Sequence, residues 1–198
     1  MVIVCLISRG IAPVESILEM QEYIRLYNLT FSPVLRRPLV DAKNEAVRYA
    51  LLRGADLLLI EDDIIADAAI WDRMIIDDDP GKILTVEARC NGGAMNTQRN
   101  GSGEFVFTGT CFMRVPCAIL GRLPQPVFEA RNYHADRNGK LLLGGPNVRH
   151  AHSDVYFWYQ VAQLDPRPEI GIIGEARHIR HALNMSSSHD APHKLEFW

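Results

Sequence analysis

Short, unbroken apolar runs closed by polar turns alternate along this chain with stretches whose apolar residues recur at helical spacing. The run Val2-Ile3-Val4-Cys5-Leu6-Ile7, ended by Ser8-Arg9-Gly10, predicts a strand buried on both faces. Pro13 then stands where a helix's first turn tolerates it, and Val14, Ile17, Leu18 and Ile24 fall on one helical stripe. Residues 29–35 predict a second strand. Asp41 predicts the N-cap of a helix that turns Ala46, Val47, Ala50 and Leu51 inward and stops at Gly54. A third buried strand, Leu57-Leu58-Leu59-Ile60, runs directly into Glu61-Asp62-Asp63. Strand, helix, strand, helix, strand is the order of crossover units in an α/β sheet.

Farther along, residues 66–76 predict a short helix, Asp77-Asp78-Asp79-Pro80-Gly81 a solvated turn, and residues 83–86 another strand. Residues 91–103 are glycine-rich and polar and predict a loop. Residues 104–112 alternate as a strand, with Gly109 and Thr110 leaving room for a ligand to approach. Residues 124–145 lack periodicity and are too long for an ordinary connection, which predicts a functional loop region. Ser153 predicts the cap of a helix with Val155, Trp158, Tyr159 and Ala162 on one face, ending near Asp165-Pro166. Residues 170–173 predict a last strand, and a polar tail begins at Ala182. No repeat, heptad pattern or linker divides the chain, so the expectation is a single α/β domain over residues 1–198.

Composition narrows the class. A formal net charge of -3 gives no global reason to expect nucleic acid as a partner. The four cysteines form no CxxC pair, which argues against a disulfide framework or zinc knuckle and for a reducing compartment. No apolar run approaches the roughly 20 residues that span a bilayer, and the first residues lack the basic and apolar regions of a signal peptide. A cytoplasmic protein is expected.

The chemistry concentrates at Glu61-Asp62-Asp63. Ligands of open α/β sheets bind in the crevice outside the strands' carboxyl ends. Adjacent carboxylates there suit a hard divalent cation that also meets substrate phosphates. In an extended chain Glu61 and Asp63 share a face and Asp62 points the other way. Neither a dinucleotide fingerprint nor a GxxxxGK[ST] phosphate loop is present.

Four segments, in order, make the chain resemble the GT-A glycosyltransferases, especially the small family-two-like enzymes. They are the opening strand at residues 2–7, the path from Asp41-Ala42-Lys43-Asn44-Glu45-Ala46 to Leu57-Leu58-Leu59-Ile60-Glu61-Asp62-Asp63, the run Thr108-Gly109-Thr110-Cys111-Phe112-Met113, and Ser153-Asp154-Val155-Tyr156-Phe157. The stretch Ile172-Ile173-Gly174-Glu175-Ala176-Arg177-His178-Ile179-Arg180-His181 resembles the closing strand that supplies a histidine. The resemblance implies a mostly parallel central sheet flanked by helices. Residues 1–90 would form a Rossmann-like nucleotide-sugar-binding half, residues 91–181 an acceptor and catalytic half, and residues 182–198 a tail.

It further implies transfer of a sugar from a nucleoside-diphosphate sugar to an acceptor hydroxyl on a glycan, protein or lipid, with peripheral contact at a membrane face left open. Mn²⁺ or Mg²⁺ would be held by Glu61, Asp63 and His181, with His178 competing for the last place. Asp154 would be the general base of a single inverting displacement, with a retaining outcome left open by the sequence. Ser8, Arg9, Arg37, Asp41, Lys43 and Asp62 would contact the donor. Three positions depart from the family pattern: Glu61 stands for Asp, Ser153 for Glu, and Lys43 for Arg.

Other readings stay open. His150-Ala151-His152-Ser153-Asp154 is an HxHxD run of the kind that binds zinc in metallohydrolases, though without the histidine that usually follows the Asp. A nucleotidyltransferase, or a non-catalytic nucleotide-sugar-binding module, would use the same acidic strand end.

Overall fold

The structure, a computed structural model, describes residues 1–8, 14–35, 38–89, 96–135, 141–143 and 151–178. The elements in chain order are β1 Val2–Ser8, α1 Val14–Leu26, β2 Thr30–Phe31, β3 Val34–Leu35, α2 Leu39–Arg53, β4 Asp56–Glu61, β5 Ile64–Ile65 and α3 Ala68–Ile76. They continue with β6 Lys82–Arg89, β7 Gln98–Arg99, β8 Phe105–Phe107, β9 Phe112–Val115, α4 Cys117–Leu120, β10 Arg131–Ala135, β11 Leu141–Leu143, β12 Ala151–His152, α5 Ser153–Ala162 and β13 Glu169–His178.

The main sheet has the order β2-β1-β4-β9-β6-β13-β5, with β3 also pairing β1. It is mixed: β1 is parallel to β2, β3 and β4, and β6 to β13, whereas β9 is antiparallel to both β4 and β6, and β5 to β13. The apolar runs of β1 and β4 are continuous because both faces are covered. Ile3, Cys5, Ile7, Leu57 and Leu59 pack with Ala46, Val47 and Ala50 of α2 and Val155, Phe157 and Trp158 of α5. Val4, Leu6, Leu58 and Ile60 pack with Met20 of α1 and Ile70, Trp71 and Met74 of α3. Among the described residues no helix is long and apolar enough to cross a membrane.

Several expected boundaries shift for identifiable reasons. The second strand is two short pieces, β2 and β3, because Pro33 lies between them and has no N–H for the ladder. Asp41 does not cap α2: the cap position is Pro38, without a side-chain hydrogen bond, and Asp41 lies exposed in the first turn, where its charge complements the helix dipole. The other end is as expected. Gly54 takes the left-handed conformation (φ 60°) and donates its N–H to carbonyls of Ala50 and Leu51. Helix α3 starts two residues late, capped by Asp67, whose side chain accepts from Ile70 N at 2.9 Å.

The expected strand over residues 104–112 is broken. β8 pairs with β7 in a hairpin, and β9 begins only at Phe112. Between them Cys111 O accepts from Glu61 N of β4 at 2.8 Å, and side chains meet the backbone as well: Trp158 Nε1 donates to Thr108 O at 2.6 Å, and Thr110 N donates to an Asp154 oxygen at 3.3 Å. β10 and β11, within the expected loop region, and β12, beyond it, make a small antiparallel sheet in the order β11-β10-β12. The last strand is far longer than expected, reaching His178 through an irregularity between Ile172 and Glu175.

Candidate functional site

Because β9 is antiparallel to both its neighbours, β1, β4, β6 and β13 all run one way, and their carboxyl ends share one edge of the sheet. The same edge receives the start of β9, the start of α2 (whose far end leads into β4) and the start of α5. Ser8, Glu61, Thr110 and Asp154, spread over most of the sequence, therefore meet there.

At the centre lies Lys43 of α2, whose side chain is 0% exposed. Its ammonium has three N–H donors and three acceptors, each at 2.8 Å: Glu61 Oε1, Asp154 Oδ1 and Thr110 Oγ1. Thr110 in turn donates its hydroxyl to Asp154 Oδ1 at 2.7 Å and its backbone N–H to Asp154 Oδ2 at 3.3 Å. Ser153 Oγ donates to Asp154 Oδ1 at 3.3 Å. The Lys43 ammonium also stands 5.6 Å from the centre of the Phe128 ring. The next residue on α2, Asn44, fixes Phe128 by donating to its carbonyl (2.7 Å) and accepting from its N–H (2.9 Å).

Burial pulls the Lys43 ammonium toward deprotonation, but the charges of Asp154 and Glu61 outweigh it and hold its pKa above the ordinary lysine value. Burial likewise pushes the Asp154 carboxyl upward, and the charge and hydrogen bonds of Lys43, with those of Thr110, bring it below the usual carboxylate value. The two shifts act in different pH windows. A raised lysine contributes stability that is full below the unfolded lysine value and lost only in strong base. A depressed aspartate contributes stability that is full above the unfolded value, about pH 4, and lost as pH falls through the folded one. The stability difference between the wild type and Asp154→Asn, measured by urea unfolding, is therefore expected to stay constant from pH 8 to about pH 5 and to shrink below about pH 4. A difference that grows on acidification would show that the carboxylate is destabilised by the fold.

Ser8 and Asp62 meet as well: Ser8 Oγ donates to Asp62 Oδ2 at 2.5 Å, and both are buried. The extended run expected through Asp63 stops at Glu61, and Asp62 already lies in a turn, so its partner differs from that of Glu61. Asp63 is buried in the turn that follows, before β5. In β13, His178 pairs with Ile64 of β5, the strand that follows that acidic turn. Arg9, Arg37, His150 and His181 lie outside the described residues, as do the side chains of His152 and His178.

Lys43, expected against the donor's base or diphosphate, is enclosed by protein on all sides. Asp41, also expected there, lines a groove along α2 with Asn44, Glu45 and Arg48. The approach expected at Gly109 is made by protein too: a Cβ there would stand 2.5 Å from Asn96 Nδ2. Asn96 joins β6 to this segment, accepting from Ala88 N (2.8 Å) and from the Thr108 hydroxyl (3.1 Å).

Thr110, as the residue that orients Asp154, was not legible as such; a threonine after a glycine in a broken strand was its only signal. Burial pushes the Cys5 thiol up to about 12, and burial together with Glu61 and Asp154 raises Cys111 well above the ordinary value. Both are buried filler, not nucleophiles.

Carboxylates such as Asp63 and Glu61 are hard oxygen donors, the kind that Mn²⁺ or Mg²⁺ would take, and the Glu61 pairing with Lys43 runs through Oε1. Among the described residues no group of three His, Cys, Asp or Glu is placed to hold a metal.

No family model matches the chain, and no curated protein matches it. A solved structure does: "Crystal Structure of A197 from STIV" is similar with a TM-score of 0.51 and 11% identity, over 76% of this chain and 97% of that one. The likeness is one of fold.

Proposed function

We propose that the protein is a glycosyltransferase of GT-A type, moving a sugar from a nucleoside-diphosphate sugar to an acceptor hydroxyl. One observation carries the reading: Glu61 at the end of β4 and Asp154 at the start of α5 converge on one strand edge. These are the donor-side and acceptor-side carboxylates that the sequence motifs imply.

The buried Ser8–Asp62 pair stands at the end of β1, where the donor's ribose and sugar hydroxyls would be read. Asp154 is the base that takes the acceptor's proton. Among the described residues its Oδ1 is occupied by Lys43, Thr110 and Ser153, while Oδ2 has one long bond, to Thr110 N, and the side chain is 28% exposed. Oδ2 is the oxygen placed to act. A low pKa makes Asp154 a weak base but keeps it ionised, as proton removal requires. One displacement with inversion at the anomeric carbon follows from a base that acts without a covalent intermediate. Asp63, Glu61 and, from outside the described residues, His181 would hold the divalent cation, which supplies neutralisation of the leaving diphosphate.

The zinc-hydrolase reading of the HxHxD run is less well supported, because Asp154 already binds an ammonium and a threonine hydroxyl. A nucleotidyltransferase would release pyrophosphate in place of a nucleoside diphosphate. The direct test is thermal unfolding with UDP-, GDP- and dTDP-hexoses, with and without Mn²⁺. One donor at 100 times its Kd is expected to add about 2.7 kcal/mol of stability, and only when metal is present. The absence of any donor-dependent shift across the panel would overturn the assignment.

A further inference from the structure

We infer that Lys43 is a positioning residue: a single buried ammonium tethers Glu61 on the donor side to Asp154 on the acceptor side and so sets the geometry between them. The consequence for turnover rests on the glycosyl-transfer reading above, whereas the tether stands on geometry alone.

Both carboxylate oxygens lie 2.8 Å from the same nitrogen, and the third N–H goes to the threonine hydroxyl that also grips Asp154. No N–H remains for a substrate, and with 0% exposure none reaches the Lys43 side chain. The base of the tether is fixed too, since Asn44 binds both backbone polar groups of Phe128 and so holds the start of α2 in place. Glu61 and Asp154 come from elements separated by most of the sheet's sequence. Without the ammonium they would be two like charges at close range in a partly dry site, which drives carboxylates apart or protonates one. A lysine suits this role better than an arginine, because a compact three-donor cation fits three convergent acceptors and a planar fork does not. Lys43 therefore acts on the reaction through Asp154 and Glu61 and touches neither donor nor acceptor.

The tether is tested in the full-length protein with Lys43 retained, by urea unfolding of Glu61→Gln, Asp154→Asn and the double variant. If one cation serves both carboxylates, either single variant leaves it a partner. The double variant is then expected to lose more of its urea midpoint than the two single losses together. Additive losses would overturn the tether. The positioning role is tested with Lys43→Gln, following nucleoside-diphosphate release from UDP-, GDP- and dTDP-hexoses. Turnover of the folded enzyme is expected to fall about a hundredfold, the usual result of a misplaced reacting group, with KM for the nucleotide sugar within about threefold of wild type. A raised KM at unchanged turnover would make Lys43 a donor-binding residue, and unchanged values of both would make it structural only; either overturns the role. If the wild type releases no nucleoside diphosphate from any donor, the glycosyl-transfer reading falls, and the unfolding comparison alone decides the tether.

Discussion

Replacing Asp154 by asparagine is expected to lower turnover by about a thousandfold, within the range that a lost general base costs, while leaving the donor's KM nearly unchanged. Asparagine keeps the size of the side chain and an Oδ1 that accepts from Lys43 and Thr110, so the network around it loses a charge and keeps its shape. What it cannot do is take a proton. The measurement is steady-state release of nucleoside diphosphate with acceptor present, beside a thermal unfolding curve to confirm that the variant is folded. Unchanged turnover would mean that the site binds nucleotide sugars without using Asp154 as a base, and the enzyme reading would give way to a binding module.

Lys43→Met carries the largest expected loss of stability. Methionine conserves most of the apolar stem's volume, so the change isolates the charge. Removing one partner of a fully buried ion pair costs about 3–5 kcal/mol. Glu61 and Asp154 retain 18% and 28% exposure, and water relieves part of their repulsion, which sets the expectation at the lower end, about 3 kcal/mol. For a chain of this length that corresponds to a fall in Tm of roughly 10 °C. Equilibrium urea unfolding at pH 7 checks the value. A variant as stable as wild type would show that the carboxylates are well solvated and that Lys43 does not hold them.

Much of the architecture was readable because it rests on local pattern. Buried strands announce themselves as unbroken apolar runs, and Gly54 ends α2 because only its left-handed conformation lets the N–H turn back to the helix. The direction of the strands was not readable. β9 looks like any four apolar-rich residues, and its insertion between β4 and β6 depends on contacts across the whole chain. The same limit applies to the site. The acidic strand end brought out Glu61 and Asp62, and the family resemblance Asp154, yet the resemblance also assigned Lys43 to a ligand because sequence carries no measure of burial. Thr110 was read only as room for a ligand, since its partner is the Asp154 side chain 44 positions away. Asp41 shows the weakness of local rules: a good N-cap residue yields when Pro38, three positions earlier, starts the helix first.

The placement of β9 also bears on how the molecule can be divided. A strand from beyond residue 91 is the middle of the sheet, hydrogen-bonded on both sides to strands that precede that point. Neither segment, made alone, would possess a closed interior: the earlier would leave β4 and β6 separated by an empty slot, and the later would carry an orphan strand. The described sheet therefore has no seam near residue 91, and pieces cut there would regain order only by finding one another.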